Sequence, residues 1–354
     1  ADGARVYRYL PLGIDQQVRD YLRQAILTGK ASAVKFKVKG NLHDFPFATA
    51  KQGDFRITAD VANATFAYAP AFLLAKDSLP WPVLADLSGE LVIDRSVLQV
   101  KGGSAGIAGA PGLRIGKVDA VVDSLYGGAT VSVAAEAQGP LGDLLGVVNG
   151  SPLSPLMGKA LDRATASGVS DYKFKLAFPI AAVERATVRG SVALAGNDLQ
   201  ITPDTPRLAR ARGVVNFSET GFSLAGAQAK ALGGDVRIDG GLSSPGAAHP
   251  VAGNKSPAPQ VMRLQGTATA EGLLQARELG FAARLAQYAT GSAAYAATLG
   301  FRSGIAELAV SSNLVGMALN LPAPFTKSAD AALPLQLETS AVKASLGSTT
   351  DGVA

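Results

Sequence analysis

The residues GGSAG at 102–106 match the Gly-x-Ser-x-Gly pattern that holds a serine nucleophile on a sharp strand-to-helix turn. An acid such as Asp235, and then His249, follow Ser104 in the chain order of that hydrolase triad. The pattern needs a helix after the serine, and IAGAPGLRIG follows instead, a stretch that forms none. His249 itself lies in a run of Pro, Gly and Ser. The only other histidine, His43 in NLHDFPF, stands beside Asp44, a pair that can orient a general base. The same residues read more simply as a turn between strands, with Asp44 capping it and Phe45 and Phe47 packing. Histidines and carboxylates do not cluster at metal-ligand spacing, and no phosphate loop or dinucleotide fingerprint occurs. Hence no catalytic residue, metal or cofactor is read, and the chain is expected not to be an enzyme.

With chemistry set aside, composition bounds the rest. The 354 residues are 47% apolar, 17% charged and 6% aromatic, with 40 glycines, 19 prolines and no cysteine. Much of the apolar share is Ala and Val, which suits sheets better than an aromatic core. A disulfide framework and thiolate metal sites are excluded. The net charge of +5 is scattered, and its densest cluster is VKFKVKG at 34–40. There Lys35, Lys37 and Lys39 share one strand face opposite Val34, Phe36 and Val38, without the exposed aromatics of a nucleic-acid module. Nucleic acid is therefore not expected as a partner. No apolar run reaches membrane-spanning length, and the N-terminus has no signal-peptide layout. The chain reads as a piece of a longer protein, with any anchor outside it.

The elements follow from periodicity. Ile14, Val18, Leu22 and Ile26 predict an amphipathic helix over Leu12–Leu27, started by Asp15 and ended by Gly29. From Lys30 the period becomes two. Strands are expected at 34–40, 53–61, 64–70, 89–96, 97–103, 117–122, 129–139, 171–180, 187–196, 198–203, through the hairpins of 211–241, and at 261–270, 291–301, 305–313, 316–322 and 333–340. Short helices are expected at 139–150, 154–164 and 271–289, and residues 242–260 read as an exposed loop. In 271–289 the large residues Leu273, Leu274, Leu279, Phe281, Leu285 and Tyr288 are expected to pack across a groove end or sheet face, with membrane binding the lesser alternative, leaving Arg277, Glu278 and Arg284 solvated. Trp81, the single tryptophan, reads as a packing anchor. The chain also resembles itself: GELVIDRSVLQVKGG from Gly89 lines up with GVVNFSETGFSLAG from Gly213.

In that second copy Val215, Phe217, Phe222 and Leu224 share one side of a hairpin, and Ser218 and Ser223 point the other way. A sheet of such hairpins has one apolar and one wet face, and the helices are too few to cover the apolar one. Either it folds into a sandwich or it stays partly open. The candidate groove residues are Phe55, Ile57, Leu91, Ile93, Phe174, Leu176, Val192, Leu194, Leu199, Ile201, Val215, Phe217, Phe222 and Leu224. The competing expectation is a structural or adhesive β-repeat protein in which this list is a sealed core.

The motifs WPVLADLSGELVI (81–93), QGPLGDLLGVVNGSPL (138–153), VRGSVALAGNDLQI (188–201), FSETGFSLAGAQAKALGGDVRIDGG (217–241) and LQGTATAEGLLQA (264–276), in this order, resemble the C-terminal half of the YhdP-type proteins of the AsmA-like family. The resemblance runs from about Tyr9 to Glu338, and the proline-rich 245–259 departs from it as a lengthened loop. It implies a fold that is mainly β with a few short helices, an elongated, twisted and rolled antiparallel sheet forming an apolar groove. It implies a periplasmic region of an inner-membrane-anchored protein of Gram-negative bacteria that carries phospholipid between the two membranes, with no enzyme chemistry. Its partners would be phospholipid acyl chains, the inner membrane through an anchor outside this chain, and outer-membrane or periplasmic proteins. The expected division is a leading helix over 1–30, a β-groove unit over 31–170 with helices at 139–164, a second over 171–340, and a tail at 341–354.

Overall fold

The computed structural model describes residues 2–339 apart from 9–15, 46, 48, 50, 75, 126–127, 157–158, 160, 181, 183–184, 244–260 and 303–304. The fold is mainly β, as expected: seventeen strands in an open antiparallel sheet, with a few short helices. Ser104 lies inside a strand and not on an elbow, while His249, the 245–259 loop and the 341–354 tail fall outside the described residues. The chain divides into two compact units, Ala1–Leu156 with Ser167–Leu194 and Asn216–Glu219, and Met157–Ala166 with Ala195–Val215 and Thr220–Ala354.

In the first unit, helix α1 (Gln16–Ala25) passes directly into strand β1 (Ile26–Gly40). The helix is thus shorter than the apolar period predicted, because Ile26 and Thr28 pair with Phe66 and Thr65 of β2 (Gly53–Phe66). Gly29 does not end the helix. It lies within β1 at φ 149°, where a Cβ would come within 2.9 Å of the Ala64 side chain. The two strands expected at 53–61 and 64–70 are one, β2, carried past a bulge. Then come β3 (Leu84–Asp94), β4 (Val97–Ile107), β5 (Ala110–Val122) and β6 (Thr130–Pro140). The glycine-rich 102–112 lies in the β4–β5 hairpin, since glycine lets paired backbones approach closely.

Helix α2 (Leu141–Asn149) packs on β5 and β6, with Leu141 and Leu113 buried, and the Asp143 carboxylate accepts the Gly112 N–H at 3.1 Å. The second expected helix shrinks to the single turn α3 (Leu153–Leu156). After β7 (Thr165–Ser167) follow β8 (Val169–Pro179) and β9 (Thr187–Gln200). The strands expected at 187–196 and 198–203 are likewise one. At the break the Asn197 side chain, buried, accepts the Ala195 N–H, and Ile201 lies just past the strand end.

The second unit contains most of β10 (Leu208–Ser218), then β11 (Gly221–Ala231), β12 (Gly234–Ser243), β13 (Val261–Thr269), β14 (Ala289–Arg302), β15 (Ile305–Ser312), β16 (Met317–Leu319) and β17 (Leu335–Thr339). Between β13 and β14 lie α4 (Ala270–Gln275) and α5 (Phe281–Leu285), each extended by a 3-10 turn. Thr269 caps α4 by accepting the Gly272 N–H at 2.9 Å.

Each of β1 to β5 is broken by a register shift with a residue in the left-handed region: Ala33, Asn63, Asp86, Gly102 and Lys117, at φ between 50° and 56°. One extra residue bends a strand and increases its twist, so these bulges curve the sheet. The internal repeat is realised in them. Gly89 and Gly213 both have positive φ and both abut the residue fourteen positions on, Gly103 and Ala227. The bulge glycines Gly102 and Gly226 then donate their N–H to Asp119 at 3.2 Å and Asp239 at 2.5 Å. That bond, with Arg237 beside it, holds the Asp239 carboxyl below its usual pKa.

Candidate functional site

Residues directly opposite in an antiparallel ladder share a face. In the first unit one row runs Phe36–Ile57–Ile93–Leu98–Val122–Val131–Phe178 through β1, β2, β3, β4, β5, β6 and β8. The next runs Ala59–Leu91–Val100–Ala120–Val133–Leu176–Val188. Every side chain in both rows is apolar. Among the candidates, Ile57, Leu91, Ile93 and Leu176 thus stand together, with Phe174 beside Ala135 and Gly190 in the following row.

The rows differ in cover. Ile57, Leu91, Ile93, Leu98, Val100, Val122, Val131, Val133, Leu176 and Phe178 are all half-buried, and Phe36 is 66% exposed. A second layer across this face would bury such side chains. Toward α2 the same face closes: Ala105, Ile115, Val118 and Ala135 form a core, and Tyr172 and Val192 are buried. The Tyr172 hydroxyl donates to the Gly139 carbonyl at 2.9 Å, and burial pushes its pKa up to about 12. Phe55 is also buried, under edge-on contacts with Phe36 and Phe45, and Leu194 is half-buried. Phe217 closes over Gly190, where a Cβ would collide with its ring.

The opposite face carries the ion pairs, with Val92 buried among polar neighbours. Lys37 pairs with Asp54, Arg56 with Asp94, and Glu136 with Lys117 at 2.6 Å and Lys173 at 3.6 Å. The Lys117 hydrogen bond holds the Glu136 carboxyl below its usual pKa. A shallow hollow of about 490 Å³ there is lined by Lys117, Glu136, Lys173, Lys175 and Arg189. The lysine face of β1 is solvated as expected, but Val34, Phe36 and Val38 on its other side are exposed too.

The second unit has the same two-faced build with smaller residues. Rows Ala227–Ile238–Leu264–Ala297–Val310–Leu337 and Ala229–Val236–Gly266–Tyr295 run across β11 to β17. Ala227, Ala229, Val236, Ile238, Met262, Ala293 and Ala297 are buried, so the face is closed from β11 to β14, while Leu337 at the β17 end of the first row is exposed. Of the candidates in this unit, Leu199, Ile201, Val215, Phe222 and Leu224 are half-buried. An open hollow of about 770 Å³ is lined by residues including Gly266, Tyr295, Ser312 and Leu335.

The sequence model of one protein family, described as YhdP protein, matches residues 1–354. The chain belongs to the YhdP family. The motif resemblance is thereby borne out over the whole length. No curated protein and no solved structure matches the chain. The described residues hold no group of three metal-capable side chains, and His43 is exposed on a 3-10 turn. No helix among them is long and apolar enough to cross a membrane. Trp81 is half-buried, 6.1 Å from the Tyr68 ring.

Sequence reading missed Phe36, Leu98, Val100, Val122, Val131, Val133, Phe178 and Val188, which complete the two rows. Their alternation was visible in VLQVKGG and ATVSVAAEAQG, but only the ladder assigns them to the same side as Leu91. Pairing is the reason, because alternation within one strand fixes its two sides and only the register with its neighbours says which side they share.

Proposed function

We propose that this YhdP-family chain carries phospholipid, without enzymatic chemistry, along the open apolar face of its first unit, as part of a periplasmic path between inner and outer membranes. One observation carries the reading: two uninterrupted apolar rows each cross seven strands, and their large side chains are only half-buried or exposed. An acyl chain leaving a bilayer for water loses about 0.8 kcal/mol per CH₂, so two chains face a barrier on the order of 20 kcal/mol. A continuous apolar track removes most of that cost. Leu, Ile, Val and Phe in rows offer many equivalent contacts and no deep pocket, so a lipid is held along the track and trapped nowhere. The ionic face keeps the other side of the sheet wet. The sealed-core scaffold is the weaker reading, because a sealed core would bury the Ile57–Ile93–Leu98 row.

Site-specific photo-crosslinking in cells tests this. A crosslinker at Leu176 or Ile93 is expected to capture phospholipid, and one at Lys175, on the wet face, to capture none. Equal capture, or none at any apolar position, would favour the scaffold.

A further inference from the structure

On the wet side of the first unit, Lys175 of β8 stands directly opposite Arg189 of β9. Like charges opposed in this way destabilise a ladder. Both side chains are exposed, and neither forms an ion pair among the described residues. Their row continues through Ala134 of β6 to Asp119 of β5, so an alanine separates the two cations from the carboxylate at its far end. The acids around them are already engaged. Asp119 accepts the Gly102 N–H at 3.2 Å, and Glu136 in the next row is held by Lys117 and Lys173. Farther out, Glu219 accepts the Val188 N–H at 2.9 Å and Asp171 accepts the Gln138 amide at 2.8 Å.

These side chains line the hollow of about 490 Å³ between β5 and β9. Its charged lining is Lys117, Lys173, Lys175 and Arg189 against Asp119 and Glu136, an excess of two positive charges. Ser191 and Asn216 also line it and add neutral hydrogen-bonding groups. The hollow thus joins an unanswered cation pair, a depression beside it, and uncharged donors within the same few residues.

We propose that this hollow binds the phosphomonoester group of a small soluble molecule, with Lys175 and Arg189 as its main contacts. The charge selects the group. A phosphomonoester carries a charge of about −1.5 to −2 at neutral pH, which answers the excess, whereas a carboxylate or a phosphodiester leaves one cation over. The Arg189 fork suits two phosphate oxygens, and Lys175 supplies a point charge beside it. Ser191 and Asn216 are placed for the hydroxyls of a phosphorylated polyol or sugar, and the volume suits a ligand of that size. The hollow opens on the side away from the apolar rows, so a lipid with its acyl chains on those rows cannot bring its phosphate there. Only this choice of a soluble source rests on the proposed function; the charge excess does not.

The test titrates the whole chain with glycerol phosphate at pH 7, by calorimetry and by thermal unfolding, against sodium chloride at matched ionic strength. Glycerol phosphate should bind and raise the unfolding midpoint, because a ligand held only by the folded state stabilises it. The Lys175→Gln/Arg189→Gln variant should bind about tenfold more weakly or worse, the loss of two charge-assisted contacts. Without ligand it should unfold no earlier than the parent, since the opposed charges are gone. Lys101→Gln, on the wet side of β4, should bind as the parent does. A parent that responds no more than to chloride, a double variant that binds undiminished or unfolds earlier, or an equal loss in Lys101→Gln would each overturn the proposal. So would binding to phosphatidic acid vesicles with none to glycerol phosphate. Lipid capture at Ile93 is read separately. Its absence with glycerol phosphate still bound defeats the track and leaves the hollow standing; the reverse result defeats the hollow alone.

Discussion

The two units write one pattern in different residues. In the first, the rows through β2, β3, β4 and β6 use Ile, Leu and Val, and these remain half-exposed. In the second, alanine and glycine dominate, and Val236 retains only 2% exposure. Small residues let backbones approach, as where a Cβ at Gly234 or Gly272 would strike the Thr267 or Leu232 main chain. Bulky branched residues hold neighbours apart and present a broad apolar surface. Patterning alone therefore does not separate a track from a core. Side-chain volume along the same pattern does.

If that contrast is right, crowding the closed unit is the most damaging change. Gly272→Val, which forces side-chain atoms into the Leu232–Gly233 turn, should cost about 3 kcal/mol or more in urea unfolding. A smaller loss than 1 kcal/mol would show that the second unit is looser than its burial indicates.

Truncation sharpens the comparison. Ile238→Ala in the closed unit should cost about 3 kcal/mol, and Leu98→Ala on the open face about 1 kcal/mol, because only the first leaves a cavity. Equal costs would mean that the first unit is covered after all. Leu176→Arg, in the open row, should leave stability nearly unchanged and abolish lipid capture at Ile93.

Lys327→Met probes the loop after β16. It leaves three carbonyls without their donor and should cost about 2 kcal/mol in urea unfolding.

The smallest effect is at Tyr172, on the closed end of the first unit. Burial raises its pKa from 10.0 to about 12, so the folded state favours the neutral phenol. Its contribution is whole below pH 10 and is lost as pH rises from there through about 12. Tyr172→Phe should cost about 1 kcal/mol at neutral pH through the lost bond to Gly139, and should flatten the alkaline decline in that window. An unchanged alkaline slope would place the titration elsewhere; Tyr21, also raised to about 12 by burial, is the first alternative.

Sequence by itself determined the strand grammar, the absence of catalytic spacing and the family, since alternation, turn residues and motif order are local. It also named Ile57, Leu91, Ile93 and Leu176, which pairing sets in the two apolar rows. It misjudged what lay at breaks. Asn63 and Asn197 read as strand ends and are points where one strand continues. Leu274, Phe281, Leu285 and Tyr288 read as packed and are exposed, while Leu273 and Leu279 of the same segment are half-buried. Only the tertiary structure decided these, and for one physical reason. A period says that residues share a side, whereas bulges that shift the phase, and the neighbours that cover that side, come from strands and loops far away in the chain.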